Sequence, residues 1–216
     1  LTFFDINNTF VSIFEYPLSY VEFIGTLFGL VSVWLAARDN ILTWSTGLIN
    51  IVFFFAVFYQ VQLYSDMFLQ VYFFAVSIYG WRTWSRQKRR DERISTLSTQ
   101  WRIVVSATVL LSAALLGAFM SNIHVLFPKV FPQPAAYPFF DALTTVMSVI
   151  ATVLLAKRIL EHWVLWMLVD MISIILYLKK GILFISLEYV IFLGLASFGL
   201  IAWTKTLKNA QRISAG

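Results

Sequence analysis

Seven apolar stretches separated by short polar ones dominate the chain. They run over residues 20–37, 41–59, 65–84, 101–120, 139–156, 163–178 and 182–203, close to the roughly 17–25 residues that a helix needs to cross hydrocarbon. The pattern predicts an all-α integral membrane protein with seven transmembrane helices. Ahead of them Phe3, Ile6, Phe10, Ile13 and Phe14 recur at roughly helical spacing with Asp5, Asn7 and Asn8 between, which predicts a short interfacial helix ending before Pro17. Polar positions inside the spans are periodic. Trp163, Trp166, Asp170, Ser173 and Tyr177 fall at successive steps of three or four and share one helical face. Similar stripes are Glu22, Gly25, Gly29 and Ser32; Thr43, Gly47 and Asn50; Asp66, Gln70 and Ser77; and Asp141, Thr144 or Thr145, Ser148 and Thr152.

Composition agrees with that reading. The 216 residues are 60% hydrophobic and 12% charged, against about 25% charged in soluble domains. The net charge of +5 does not point to nucleic acid, because the basic residues cluster between or after apolar stretches. Arg82, Arg86, Lys88, Arg89, Arg90 and Arg93 follow the third span, and Lys205, Lys208 and Arg212 follow the seventh. The positive-inside bias makes both cytoplasmic, with the N-terminus outside and Arg38, Lys157 and Arg158 inside. Lys179 and Lys180 fall outside, against the bias, where long lysines can snorkel to headgroups. With no cysteine, disulfides, thiolate metal sites and a cysteine nucleophile are excluded. The two histidines, His124 and His162, sit in or beside loops, and no zinc, P-loop or GxSxG pattern exists. No catalytic residue, cofactor or metal is expected, and a retinal-type receptor would need a lysine that the seventh span lacks.

An internal repeat is visible at an offset of about 119 residues: Glu22 with Asp141, Arg38 with Lys157, Trp44 with Trp163, Gly80 with Gly199, and Trp84 with Trp203. Each copy is three helices. One helix lies between the copies, so both begin from the same side of the membrane and the repeats are parallel, a layout that holds substrate near midplane at the repeat interface. The expected organisation is an N-terminal interfacial segment 1–19, a first repeat 20–84, a basic cytoplasmic loop 85–100, a linker helix and outer loop 101–138, a second repeat 139–204 and a cytoplasmic tail 205–216.

Depth selects the candidate site. Asn50 and Asp170 lie about 11–12 Å into helices entering from inside, and Gln70, Glu188 and Tyr189 about 8–11 Å into helices entering from outside, at a rise of 1.5 Å per residue. Amides and acids at such depth are costly unless they face a partner or a polar cavity, so this layer is read as a solute path. Glu22, Asp66 and Asp141 stand within about a turn of helix starts and are read as complements to exposed amides and the macrodipole. The Gly, Ser and Thr positions are read as close packing. Trp81, Trp84, Trp101 and Trp203 fit an interfacial belt. Trp166, on the Asp170 face, fits either a belt or a stacking surface. With no histidine in the layer and no obvious sodium cage, ion-independent facilitated transport is expected.

The segments GLINIVFFFAVFYQVQLYSDMFLQ (47–70), IYGWRTW (78–84), HWVLWMLVDMIS (162–173) and ISLEY (185–189) resemble the PnuC family of bacterial nicotinamide riboside transporters over nearly the whole chain after Tyr20. The resemblance implies a bacterial inner membrane protein that takes up nicotinamide riboside by facilitated diffusion, with a cytoplasmic kinase trapping the product. Relatives in that family carrying Asn at the position of Asp170 leave open whether the charge itself is required. The chemistry is compatible: Trp163, Trp166, Tyr177 and Tyr189 offer aromatic faces to a flat pyridinium cation, Asp170 and Glu188 offer charge, and Asn50 and Gln70 offer paired donors and acceptors. The other reading of the residues is a facilitator for another small polar solute, a sugar or a different vitamin, on the same plan. The lipid bilayer is the only other partner expected, and homo-oligomerisation is left open.

Overall fold

Two non-glycine residues in the left-handed region, Phe14 (φ 50°) and Glu15 (φ 65°), turn the N-terminal segment back on itself. They join strand β1 (Thr9–Ile13) to strand β2 (Tyr16–Ser19) as an antiparallel pair in which Ile13 faces Tyr16. The interfacial helix expected here is therefore corrected to a hairpin. Two positive-φ residues in a two-residue loop are the signature of a type I′ turn, which normally uses Asn-Gly; Phe-Glu carries no such signal. Tertiary contacts hold it instead. The Tyr16 ring, directly after the turn, stacks on Phe184 at 5.3 Å, and the residues ahead of the hairpin are tied down by Gln60, which accepts from the Ile6 amide and donates to the Phe4 carbonyl.

The structure is a computed structural model that describes residues 4–60, 64–87, 94–129, 134, 137–179 and 181–215. Lys88, Arg89, Arg90, Arg93 and Lys180, on which part of the charge argument rests, lie outside the described residues. Among those described, seven helices follow the hairpin: α1 (Tyr20–Ala37), α2 (Leu42–Gln60), α3 (Tyr64–Gln87), α4 (Thr99–Leu126), α5 (Pro138–Ala156), α6 (His162–Lys179) and α7 (Leu183–Ala215). Ser19 starts α1 through a capping box: its hydroxyl accepts from the Glu22 amide, and the Glu22 carboxylate accepts from the Ser19 amide at 2.9 Å. Tyr16 donates to the same carboxylate at 2.7 Å. Glu22 thus has the helix-start role its position suggests, and burial with this bond raises the Tyr16 pKa. Six of the helices, all but α3, are long and apolar enough to cross a membrane. The α3 sequence is more polar, with Gln70 inside it and Arg82, Arg86 and Gln87 in its last turns. Helix α7 runs past the expected end at 203 to Ala215.

The helices close into a ring. In order around it, α1 packs on α2, α2 on α3, α3 on α5, α5 on α6, α6 on α7, and α7 returns to α1. Helix α4 stands outside, against α5, with Val109 seated on Met147 and Val169. The ends of α1, α3, α5 and α7 that precede or carry the basic residues form the basic end of the ring, and the hairpin marks the other.

Sequence offset and geometry coincide at the basic end. The α1–α2 corner turns through Asp39 (φ 51°) and the α5–α6 corner through Arg158 (φ 54°), 119 residues apart. Asn40 donates to the Leu35 carbonyl and Ile159 to the Leu154 carbonyl, both at 2.9 Å. Deeper in, a Cβ on Gly80 would overlap the Trp44 indole, and one on Gly199 the Trp163 indole. These contacts gather Trp44, Trp84, Trp163 and Trp203 into one buried cluster. Trp84 and Trp203, each 1% exposed, are core residues and not the interfacial belt expected of them; Trp101, 61% exposed, faces outward as expected.

The glycine contacts predict a contrast. Gly199→Ala forces the Trp163 ring to move, and overpacking of this kind costs about 1–3 kcal/mol. It should lower the melting temperature of the detergent-purified protein. At Gly194 an added Cβ meets nothing within 4 Å, so Gly194→Ala should leave the melting temperature unchanged or raise it through better helix propensity, about 1 kcal/mol at most. Equal effects at the two sites would refute the packing account.

Candidate functional site

Each polar stripe read from the sequence contributes residues to the inside of the ring. They enclose a cavity of about 290 Å³, just below the roughly 300–1,000 Å³ common for small-molecule sites. Its walls come from α1, α2, α3, α5, α6 and α7. All lining residues but Gly29, Ser32 and Asn50 fall into pairs 119 positions apart, one from each half of the ring. Trp44 pairs with Trp163, Thr43 with His162, and Phe73 with Phe192. Other pairs differ in chemistry: Gly47 stands opposite Trp166, Ile51 opposite Asp170, and Gln70 opposite Tyr189. One wall is small and neutral where the other bears a ring, an acid and a phenol.

Six of the eight residues singled out from sequence line this cavity: Asn50, Gln70, Trp163, Trp166, Asp170 and Tyr189. Asp170 is 4% exposed, so its carboxyl is held inside the ring and away from lipid. Tyr177 and Glu188 do not line it. Tyr177 stacks on Tyr189 at 5.5 Å and backs the wall, while Glu188 sits toward the hairpin end with Thr26 and Glu22 as polar neighbours. The helical step that places Tyr177 on the Asp170 face carries it two turns nearer that end. The Asp66 side chain lies outside the described residues.

Asn50 also has a structural task. Its Nδ2 donates to the Gly25 carbonyl at 2.8 Å, tying α2 to α1, and the lack of a side chain at Gly29 leaves room for that amide. Nearby, Ser32 donates to the Thr43 carbonyl at 2.8 Å and Thr43 to the Ser32 carbonyl at 2.9 Å. Ser32, Thr43, Ser77, Thr152, Trp44 and His162 line the cavity, although the sequence marked the first four only as packing and the last two not at all. The signal for Trp44 and His162 was present: each is the 119-residue counterpart of a lining residue.

At the basic end the cavity floor is the tryptophan cluster. His162 is fully buried, and its Nδ1 lies 2.7 Å from the Ile159 carbonyl; a carbonyl only accepts, so Nδ1 carries the proton and Nε2 is a bare acceptor. That Nε2 and the Nε1 atoms of Trp44, Trp84 and Trp163 are buried without a hydrogen-bond partner among the described residues.

Comparison with known proteins places this architecture. The family described as "Nicotinamide mononucleotide transporter" matches residues 19–205. The chain is 32% identical over 233 residues to the nicotinamide riboside transporter PnuC of Escherichia coli, with 97% of each chain covered. It is 26% identical over 200 residues to the riboflavin/roseoflavin transporter RibM of Streptomyces davaonensis, covering 92% of this chain and 91% of that one. A crystal structure of the vitamin B3 transporter PnuC superposes with a TM-score of 0.65 at 23% identity, covering 88% of this chain and 83% of that one, which establishes the shared fold.

The Asn50 bridge yields its own expectation. Asn50→Ala removes the bond to Gly25 and should lower stability by about 0.5–1.5 kcal/mol, read as a reduced melting temperature in detergent. An unchanged melting temperature would show that the bridge contributes nothing and that the amide serves the cavity alone.

Proposed function

The chain belongs to the family described as nicotinamide mononucleotide transporter, whose members are multi-pass membrane proteins, and on that premise we propose that it carries nicotinamide riboside across a bacterial inner membrane. The observation that carries the proposal is the unequal cavity: Trp166, Asp170 and Tyr189 on one wall, with Gly47, Ile51 and Gln70 at the equivalent positions opposite. A flat pyridinium cation fits between aromatic faces beside a carboxylate. The ribose hydroxyls and the carboxamide fit the amides of Gln70 and Asn50, which donate and accept. RibM supports the second reading, another vitamin on the same fold, but a three-ringed flavin is much larger than a single pyridinium and the cavity of about 290 Å³ favours the smaller solute.

The transport mechanism follows from the ring. The matching corners, the paired lining residues and the place of α4 outside the ring support two parallel three-helix repeats, α1–α3 and α5–α7, with α4 as the linker. Since α3 sits in the ring between α2 and α5, it crosses as the seventh span. The substrate binds at the repeat interface near midplane and passes by alternating access as the halves rock. No ion gradient drives it. The basic end, with Arg82, Arg86, Lys205 and Lys208, is cytoplasmic by the positive-inside bias, and the hairpin is outside.

Calorimetry tests the substrate. Nicotinamide riboside should bind, with riboflavin and a neutral sugar at least tenfold weaker, a difference of about 1.4 kcal/mol. Gln70→Ala should weaken binding by several-fold to about tenfold, the loss of one hydrogen bond to a buried ligand. Trp166→Ala should weaken it by about 0.5–2 kcal/mol through loss of the cation–π face. Wild-type affinity in both folded variants would move the site elsewhere, and tight riboflavin binding would favour the second reading. Uptake into liposomes should reach equilibrium and stop there; accumulation driven by an imposed proton or sodium gradient would refute uncoupled transport. For topology, an impermeant thiol reagent on intact cells should label Asn7→Cys and spare Ser95→Cys in this cysteine-free chain.

A further inference from the structure

We propose that the basic end of the ring is a gate, latched shut by links between the two corners at positions 39 and 158, and that the α1–α2 corner is the part that swings. The proposal rests on the transporter reading above but not on the identity of the solute. Equivalent positions in two halves related by a near two-fold axis meet their own counterparts across it, so identical charges there would repel. This chain places opposite charges instead: Arg158 Nε lies 2.9 Å from Asp39 Oδ1. The same guanidinium lies 4.3 Å over the Trp84 ring, and Trp203 Nε1 donates to the Ala36 carbonyl at 3.0 Å. All three links join one half of the ring to the other at the floor of the cavity.

Two further observations make these links a gate and not a permanent brace. The Asp39 side chain is 38% exposed and that of Arg158 11%, and burial raises the Asp39 pKa while Arg158 restores it only in part; desolvation of the carboxylate thus offsets much of the attraction, which makes the pair a weak latch. Beneath it, the Nε1 atoms of Trp44, Trp84 and Trp163 and Nε2 of His162 are buried with no hydrogen-bond partner among the described residues. Opening would hydrate all four, and that gain offsets the lost links, keeping closed and open forms close in free energy. The corner bearing Arg158 is anchored. Ser95 donates to the Arg158 carbonyl at 3.0 Å and accepts from Leu160 at 2.9 Å. The Glu161 carboxylate accepts from the Leu97 amide and pairs with Arg102 at 2.9 Å. The anchored corner therefore stays with the segment that leads into α4, which leaves the Asp39 corner to move.

Two readouts test the gate. In the first, Ser77→Cys, on the cavity wall, reports access for an impermeant thiol reagent applied from the side of the basic loops. Arg158→Gln and, separately, Asp39→Asn should speed labelling by about fivefold, the shift expected when one partly exposed ion pair is removed from a two-state equilibrium. In the second, Asp39→Cys with Arg158→Cys, joined by a short reducible cross-linker in otherwise cysteine-free protein, should abolish nicotinamide riboside uptake into liposomes and retain binding, with uptake restored on reduction. Labelling that neither single variant changes, or uptake that continues through the cross-link, overturns the gate. If the protein before cross-linking takes up no nicotinamide riboside, the substrate assignment fails while the labelling still decides the gate.

Discussion

A polar group inside a bilayer has no water to turn to, and the rest of this architecture depends on that constraint. Stripes bearing Asn50, Gln70 and Asp170 on otherwise apolar helices can be satisfied only by facing one another. Six such faces close into a ring, and side chains too polar for lipid and too varied to pack solidly leave a cavity at its centre. Helix α4 lacks a stripe of that kind and stands outside the ring. Where a helix could approach closely, glycine made the space: Gly80 and Gly199 each seat an indole from the neighbouring helix, so that four tryptophans fill one end of the ring where lipid contact had been the simpler expectation.

Near symmetry in the backbone and asymmetry in the side chains then divide the labour. The two corners share hydrogen bonds and a left-handed residue, yet one offers Asp39 and the other Arg158. The walls share Trp44 with Trp163 and Phe73 with Phe192, yet only one offers Trp166 and Asp170. In the mechanism proposed above, such a frame supplies the two halves that rock about the shared cavity. Unlike residues on that frame would, in the proposed site, give a solute with two different ends one preferred orientation, and Asp39 with Arg158 gives an attraction between the two corners.

The number and order of helices, the 119-residue offset and the membrane class were legible in the sequence because each depends on local properties: apolar run length, periodicity and loop charge. Most of the cavity was legible for the same reason. Asn50, Gln70, Trp163, Trp166, Asp170 and Tyr189 share depth and face, and those follow from the rise and turn of a helix. Only the tertiary structure decided the rest. The Phe14-Glu15 turn contains no residue that favours positive φ, and the hairpin is docked through Tyr16 on Phe184, which is distant in sequence. Trp84 and Trp203 have the spacing of belt residues and become core because Trp44, Trp163 and His162 reach them from other helices. Tyr177 and Glu188 leave the cavity lining: Tyr177 lies two turns along α6 from Asp170, Glu188 is turned about 100° from its neighbour Tyr189, and how far along and around a helix the cavity reaches is set only when the helices pack. Asp39 and Arg158 are unremarkable loop charges until the ring closes, when the turns of two halves bring them within 2.9 Å. Pattern along one chain sets which face each helix hides; which residue meets which across the ring is settled only when the faces pack.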